Sequence, residues 1–560
     1  MTPTGAAPAD QILLGNVVTL DHAGTVARAI AIAGDRILAV GSEESVLGMR
    51  GPATVVHDFR GATIIPGFND THAHLDGTGM RGARPSLAGA RSIGDVLERV
   101  AQLARQTPPG EWIVTMPIGE PPFYFDGPGT LAEKRMPTRA ELDRAAPEHP
   151  VYICSPNGYW GQPPCYSAMN SLGLKLNGIG RDTRPRAGNI EILHDATGEP
   201  SGVFVEHNFV NMLERDLLPA VPRFSYAQRR DGIKRAVAQY HAKGTTSIYE
   251  GHGSSADILA AYRELHERGE LTMRVGLVVS PAWSGVDDAE RLMRDWLPLA
   301  RGRGFGDDML RVSGIFINYG GDPWIPEIAR KNYSDVAWSG LVPQAHTPEE
   351  FEALCRLAAR HDLRVHTVVS DKLHEIVPIM ERIAAEHPIG ERRWVLEHVS
   401  RARDDDLRRV QRLGVAVTLI PPHYVWKVGQ RFFQLPPEEL ALLSPARRLF
   451  ELGVPVAAGT DAVPYDPLFC LWVMTTRRER TTGRVMGEAG VMPNEAALRL
   501  LTVGGAWLTF DEHRKGPLAP GYLADLAVLS GDPLATVGDG LLELECRATM
   551  VGGRWVYRER

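Results

Sequence analysis

The stretch IIPGFNDTHAHL, residues 64–75, decides how the rest of the chain is interpreted. It consists of an apolar run, a Pro-Gly break and a short extended segment that carries His72 and His74. Side chains two residues apart on a strand point to the same face, so the two imidazoles would project together. Paired imidazoles are typical metal ligands. Chance explains one such pair among 18 histidines about equally well, so the other segments decide between the two interpretations.

Three later segments also end an apolar run in a residue that can bind a metal. These are residues 363–366, 394–398 and 454–461, which end in His366, His398 and Asp461. Taken singly, each is better explained by a buried, hydrogen-bonded histidine or by an aspartate that caps a helix. Strands that repeatedly end in such residues are typical of a barrel with its chemistry at the carboxyl ends of the strands. Together the segments predict a centre for a divalent metal such as Zn²⁺.

Eight β-type runs, most of them separated by helix-like stretches, predict an α/β fold of the (β/α)₈ TIM-barrel type. After the His72 segment, the runs cover residues 245–250, 273–280, 310–319, 363–369, 394–399, 415–420 and 454–461. The gap between the first two runs is far too long for a βα loop. We therefore predict that residues 81–239 are an inserted region that covers the mouth of the barrel.

Both ends of the chain consist of short apolar runs with tight turns, such as Gly34-Asp35 between two such runs. This pattern predicts strands joined by hairpins. We assign residues 1–66 and 516–560 to one small β-sandwich built from both ends. The barrel then takes residues 67–80 and 240–515.

The composition limits the class of protein. The 560 residues are 44% hydrophobic and 23% charged, with a formal charge of −7, which argues against a basic nucleic-acid-binding surface. Five scattered cysteines without a C-x-x-C spacing fit reduced thiols. The polar N-terminus lacks a signal peptide pattern, and no apolar run reaches the roughly 18 residues that span a bilayer. These features favour a cytoplasmic protein that has no membrane segment and acts on a small molecule. Whether it forms a homo-oligomer is left open.

Over nearly its whole length, the sequence resembles the amidohydrolase superfamily, and within it the branch that contains N-substituted formamide deformylases. The H-x-H segment and GTDA are typical of the superfamily, whereas PTRA and GEPSG point to the branch. The matching motifs are PGFNDTHAHL (66–75), GARSI (89–93), PTRAELDRAAPEHPVYI (137–153), DATGEPSGVFVE (195–206), EH (397–398), GTDAVPYDP (459–467) and KGPLAPGYLADLAVLSGDP (515–533). The resemblance implies a metal-dependent hydrolase whose barrel lies beside a small β domain.

The resemblance also implies a set of metal ligands. The set contains His72, His74, His366, His398 and Asp461. Many relatives bridge two metals with a carboxylated lysine on the fourth barrel strand, but residues 310–319 contain no Lys, Glu or Cys. Two cations about 3.5–4 Å apart would then lack a bridging anion. One metal is therefore favoured over two, with His398 either as a fifth contact or as a hydrogen-bond donor to the substrate oxygen.

Further candidates for substrate contacts lie near the strand ends. Glu250 ends the second run, with His252 close behind, and His423 follows the seventh run. Tyr159 and Trp160 lie in a tract rich in Gly, Pro and aromatic residues, which suits a substrate-facing loop and a plain structural loop about equally.

The leading hypothesis is a hydrolase of a non-peptide C–N bond in an amide, a cyclic amide or an N-substituted formamide. Asp461 would take a proton from metal-activated water and deliver it to the leaving nitrogen. A deaminase on the same scaffold is the first alternative. A catalytically silent binding relative is the second, although the presence of every other ligand-type residue argues against it.

Overall fold

The computed structural model describes residues 8–156, 161–329 and 344–559. Tyr159 and Trp160 lie outside the described residues. Eight parallel strands form a nearly closed barrel, and their hydrogen-bonded order follows the chain. In that order the barrel strands are Phe68–Asp70, Thr245–Ser254, Arg274–Val279, Leu310–Phe316, Val365–Val368, Val395–Glu397, Ala416–Leu419 and Val456–Ala458. The predicted (β/α)₈ fold is confirmed.

Helices pack around this barrel. Pro348–Arg360 illustrates why they form, because Thr347 caps its first turn together with Glu350 and a buried apolar face repeats every three to four residues. The others along the barrel are Leu75–Met80, Tyr226–His241, Ala256–Glu267, Val286–Asp295, Leu373–Ala384, Asp404–Leu413, Pro437–Ala441, Ala446–Glu451, Pro467–Thr476, Asn494–Leu500 and Val503–Leu508. The helix Ile325–Ala329 packs instead against the inserted region. None of the helices in the described ranges is long and apolar enough to cross a bilayer.

The insertion after the first barrel strand has a sheet and a core of its own. Its strands, in spatial order, are Ile113–Thr115, Val151–Ile153, Cys165–Met169, Pro200–Glu206 and Ile190–His194. Its helices are Ile93–Gln106, Gly127–Thr130, Arg139–Ala145, Ser171–Leu176 and Leu213–Asp216. Buried side chains from these elements form two apolar clusters separate from the barrel core.

One predicted boundary of the insertion needs correction. The helix Tyr226–His241, which the assignment of residues 81–239 placed almost entirely in the insertion, packs its Ile233 and Tyr240 into one cluster with Ile248 of the second barrel strand. It therefore belongs to the barrel, and the insertion ends before residue 226.

Strands from both ends of the chain join in one seven-stranded sheet, whereas the sequence predicted a sandwich. Their spatial order is Arg554–Arg558, Cys546–Val551, Leu526–Leu529, Arg50–Pro66, Ala9–Val18, Val26–Ala33 and Arg36–Gly41. The buried ion pair between Arg274 and Asp525, with Nε and Oδ2 2.6 Å apart, fixes this sheet to the amino-terminal side of the third barrel strand. The opposite, carboxyl end of the barrel stays available for a site.

Candidate metal centre

Ligand-type side chains converge at the carboxyl end of the barrel. They form three overlapping groups, in each of which one ligand atom per residue lies within 4.8 Å of the others. The groups are His72, His74 and Asp461; His72, His252 and His398; and His74, Asp76 and Glu250. Four of the five residues that the sequence assigned to the metal centre are in these groups, and His366 is in none of them.

The distances at the centre fit a bound cation. The Nε2 atoms of His72 and His398 lie 2.8 Å apart, and Oδ1 of Asp461 lies 3.2 Å from Nε2 of His74. Asp461 is fully buried, yet neither of its carboxylate oxygens completes a well-aligned hydrogen bond within the described residues. A buried, uncompensated carboxylate is costly. Imidazole nitrogens around such a carboxylate match the donor set of a zinc ion.

The backbone turns sharply where two of these residues leave their strands. His398 and Asp461 have φ angles of +56° and +53°, in the left-handed region that residues with a Cβ rarely adopt. The amide N of Asp461 donates to the carbonyl of His72 over 2.9 Å, which ties the end of the eighth strand to the H-x-H segment. Strained backbone at strand ends is typical of functional sites.

Electrostatics act differently on the imidazoles of the centre. Burial opposes the ionisation of His74, but the carboxylates of Asp461 and Glu250 raise its pKa well above the ordinary value. Burial, together with the neighbouring imidazoles, lowers the pKa of His72 and of His398 well below the ordinary value, so both are neutral at neutral pH. A neutral imidazole is the form that ligates a metal. Burial raises the pKa of Asp461, whereas His74 and Lys427 oppose that shift.

Glu250 lies behind His74. Its Oε1 accepts hydrogen bonds from the amide of Leu75 over 2.9 Å and from the hydroxyl of Tyr262 over 2.8 Å, and its Oε2 lies 3.4 Å from Nδ1 of His74. Asp461 contacts the other ring nitrogen of the same histidine. Glu250 is thus placed to orient His74, as carboxylates behind metal-binding histidines commonly do.

His366 lies outside the three groups and contacts residues of two other strands. Its Nδ1 lies 2.9 Å from Oε1 of Glu397, and its Nε2 lies 3.0 Å from the hydroxyl of Tyr249. Each ring nitrogen of His366 therefore has a partner within the described residues. Neither partner was among the sequence candidates, although an acidic residue in the apolar run that ends at Glu397 is the kind of signal that marks a buried functional group.

A rim of aromatic and cationic side chains surrounds the centre on the side of the insertion. His423 is part of this rim. Its Nδ1 lies 3.8 Å from Oδ2 of Asp461, and its ring centroid lies 5.4 Å from that of Phe209 in the insertion. Lys427 is fully buried beside Phe125 and Phe209, and burial lowers the pKa of its ammonium group to about 7. The sequence singled out His423 but gave no signal for Lys427.

Gly251 is required for the placement of Glu397. A Cβ at this position would lie 2.3 Å from Oε1 of Glu397, so we expect Gly251→Ala to destabilise the protein by about 1–3 kcal/mol, as overpacking does. Gly180→Ala is the matched control, because a Cβ at that position would have no other atom within 4 Å. Thermal midpoints measured by calorimetry compare the two variants, and equal midpoints would contradict the close packing of Glu397 against this strand.

Comparison with known proteins identifies the family. The model of the amidohydrolase family matches residues 55–557. The chain belongs to the amidohydrolase family. An N-substituted formamide deformylase from Arthrobacter pascens is 26% identical, over 97% of this chain and 97% of its own length.

Two solved structures share the fold of this amidohydrolase. An uncharacterised metal-dependent hydrolase from Pyrococcus horikoshii superposes with a TM-score of 0.68 at 20% identity, over 95% of this chain and 99% of its own. An adenosine deaminase from Xanthomonas campestris with bound zinc superposes with a TM-score of 0.53 at 15% identity, over 98% of this chain and 93% of its own.

Proposed function

We propose that this amidohydrolase cleaves a non-peptide C–N bond with a bound divalent metal. The substrate bond lies in an amide, a cyclic amide or an N-substituted formamide. The buried group of His72, His74 and Asp461, with donor atoms within 4.8 Å at the ends of the first and eighth strands, carries this proposal. The likeness to an N-substituted formamide deformylase over nearly the whole chain supports it.

The proposed metal is one zinc ion, held by His72, His74, His366 and Asp461, with His398 beside them. Bound there, it would lower the pKa of water and polarise the substrate oxygen.

The polar side chains on and just after the fourth strand support the proposal of a single ion. Each of them makes a hydrogen bond to another part of the protein. Ser313 donates to the carbonyl of Gly302 over 2.7 Å, and Tyr319 donates to Glu375 over 2.8 Å. Asn318 donates to the carbonyl of Gln344 over 3.1 Å. Neither these side chains nor any other in residues 310–319 offers an anion that could bridge a second ion.

Asp461 is the proposed general base and acid. Its carboxylate accepts a proton from the attacking water and later delivers it to the leaving nitrogen. His398, whose Nε2 lies 2.8 Å from Nε2 of His72, is proposed to donate a hydrogen bond to the substrate oxygen. His423 is proposed to contact the substrate from the rim, since its Nδ1 lies 3.8 Å from Asp461. Tyr159 and Trp160 remain proposed substrate contacts, and Glu250 is proposed to act through His74.

A small-molecule substrate and a cytoplasmic location complete the proposal. The five cysteines are buried and form no disulfide bonds, which suits a reducing compartment.

The reaction class is tested with a panel of N-substituted formamides, simple amides and cyclic amides incubated with the zinc-loaded protein. We expect at least one of these classes to be hydrolysed to an amine and a carboxylate, or, for a cyclic amide, to a ring-opened product that carries both groups. The products are detected by mass spectrometry. The matched panel contains amino-substituted heterocycles. Ammonia release from that panel alone would replace the proposal with a deaminase. Turnover of neither panel by a protein that takes up no zinc when zinc is supplied would favour a silent binding relative.

A further inference from the structure

A small polar cavity of about 20 Å³ lies at the amino-terminal end of the barrel, opposite the metal centre. Its wall is formed near the starts of the third, fourth and fifth barrel strands and by the segment that follows the helix Val503–Leu508. A cavity of this size holds one particle about as large as a water molecule. Arg303 and Asp308 also line it, with side chains 43% and 40% exposed, so a small solute can enter from solvent.

The buried charges around this cavity are unequal in number. Four cations in its wall are at most 9% exposed, namely Arg274, Arg311, Arg364 and Lys515. Arg274 pairs with Asp525, with Nε and Oδ2 2.6 Å apart. Arg311 pairs with Asp511 over 3.2 Å, and Asp511 is shared with Arg303 over 2.7 Å. The two buried carboxylates therefore already balance two arginines, and two buried cations remain.

The hydrogen bonds of these two remaining cations go to uncharged groups. Arg364 donates to the carbonyl of Arg393 over 2.7 Å and to the hydroxyl of Tyr249 over 3.1 Å. Its Nη2 is buried and has no hydrogen-bond partner in the described residues. Lys515 donates to the hydroxyl of Ser247 over 3.2 Å. A buried cation without a counter-charge is costly, so the cavity wall favours a bound negative charge.

The excess of positive charge also acts on the ionisation of Lys515. Burial, together with Arg274 and Arg311, lowers the pKa of its ammonium group to about 8, although Asp511 and Asp525 oppose that shift. An anion in the cavity would oppose the shift further and keep Lys515 charged.

The buried carboxyl group of Glu397 acts on Arg364 from outside the cavity. Its Oε1 lies 2.9 Å from Nδ1 of His366, whose Nε2 lies 3.0 Å from the hydroxyl of Tyr249. The ring of His366 therefore separates Glu397 from the cavity wall. The charge inside the cavity is left to a ligand.

We propose that this cavity binds a monatomic anion, chloride, between Arg364 and Lys515. Space for one water-sized particle excludes polyatomic anions such as phosphate. The ion links the start of the fifth barrel strand to the segment that leads into the β domain, so its role is to stabilise the fold. The site lies at the opposite end of the barrel from the metal centre, and the inference is independent of the proposed function.

Bromide reveals the site directly, because it can replace chloride and scatters X-rays anomalously. Crystals of the wild-type protein soaked in sodium bromide are expected to show an anomalous peak within hydrogen-bond distance of Nη2 of Arg364. Electron density for a water molecule at this position, without anomalous signal, would overturn the proposal.

Thermal unfolding measures the effect of the anion in solution. An anion that binds only the folded state stabilises it increasingly with concentration. We expect the midpoint of the wild type to rise by about 1–3 °C for each tenfold increase in chloride or bromide above the dissociation constant. Gluconate at the same ionic strength is too large for the cavity and is expected to leave the midpoint unchanged. An equal rise in gluconate would overturn the proposal.

Variants assign the halide effect to this cavity. Arg364→Met removes the guanidinium and keeps an unbranched side chain, so its midpoint is expected to be independent of chloride. Lys515→Met tests the opposite wall and is expected to show the same loss, which covers the case in which Arg364→Met does not fold. Arg477→Met is the matched control, since Arg477 is a buried arginine that donates to three backbone carbonyls elsewhere in the protein. It is expected to keep the chloride dependence of the wild type. Undiminished chloride dependence in Arg364→Met or Lys515→Met would overturn the proposal.

Discussion

Asp461→Asn is expected to lower turnover by about 10²–10⁴-fold, the loss that removal of a general acid–base group produces. The amide has nearly the same shape as the carboxylate, so the fold is expected to persist. An amide cannot accept the proton of the attacking water at neutral pH or return it to the leaving nitrogen. The measurement is kcat at saturating metal, with the metal content determined on the same sample so that loss of a ligand is distinguished from loss of the base.

Asp406→Asn is the matched control for this variant. Asp406 is also a buried aspartate, but it bonds to Arg403 and Arg409 on an outer helix, away from the centre. Its turnover is expected to stay near that of the wild type. A fully active, metal-loaded Asp461→Asn protein would remove Asp461 from the mechanism.

The barrel could be predicted because each of its strands carries two local signals. A run of apolar residues marks a strand buried on both faces, and in several runs a polar residue marks the end where the strand opens toward the site. The run that ends at Asp461 has both signals. Their order along the chain is also their order in the barrel, so no long-range information was needed.

The extent of the insertion could not be predicted in the same way. The helix Tyr226–His241 has a capping box and an apolar face, as would a helix of either domain. Only its contact with the second barrel strand assigns it, and that contact joins residues that no local pattern connects.

The position of the metal centre was predictable, but the contacts that each side chain makes within it were not. A strand-end residue is certain to lie at the carboxyl end of the barrel, and the structure brings His72, His74, His398 and Asp461 together there. The atoms that the side chain of a strand-end residue contacts depend on partners from other strands. Tyr249 and Glu397 contact the two ring nitrogens of His366, and neither residue adjoins it in the sequence.

Removal of the metal is expected to abolish turnover, and added zinc, manganese or cobalt to restore it. His72 belongs to two of the three ligand groups, so His72→Ala is expected to lose both bound metal and activity. His513→Ala, at a histidine whose side chain is 92% exposed, is the control and is expected to keep both. Full activity in a preparation shown by elemental analysis to be metal-free would contradict the proposed mechanism.

The same elemental analysis tests the number of ions. One tightly bound ion per chain is expected, because the fourth strand offers no bridging anion and a second cation nearby would be poorly neutralised. Two tightly bound ions would contradict the one-metal proposal. The group of His74, Asp76 and Glu250 would then hold the second ion, since its two carboxylates are the nearest source of the missing negative charge. In that case Glu250→Gln would lower the count from two to one, whereas under the one-metal proposal it leaves the count at one.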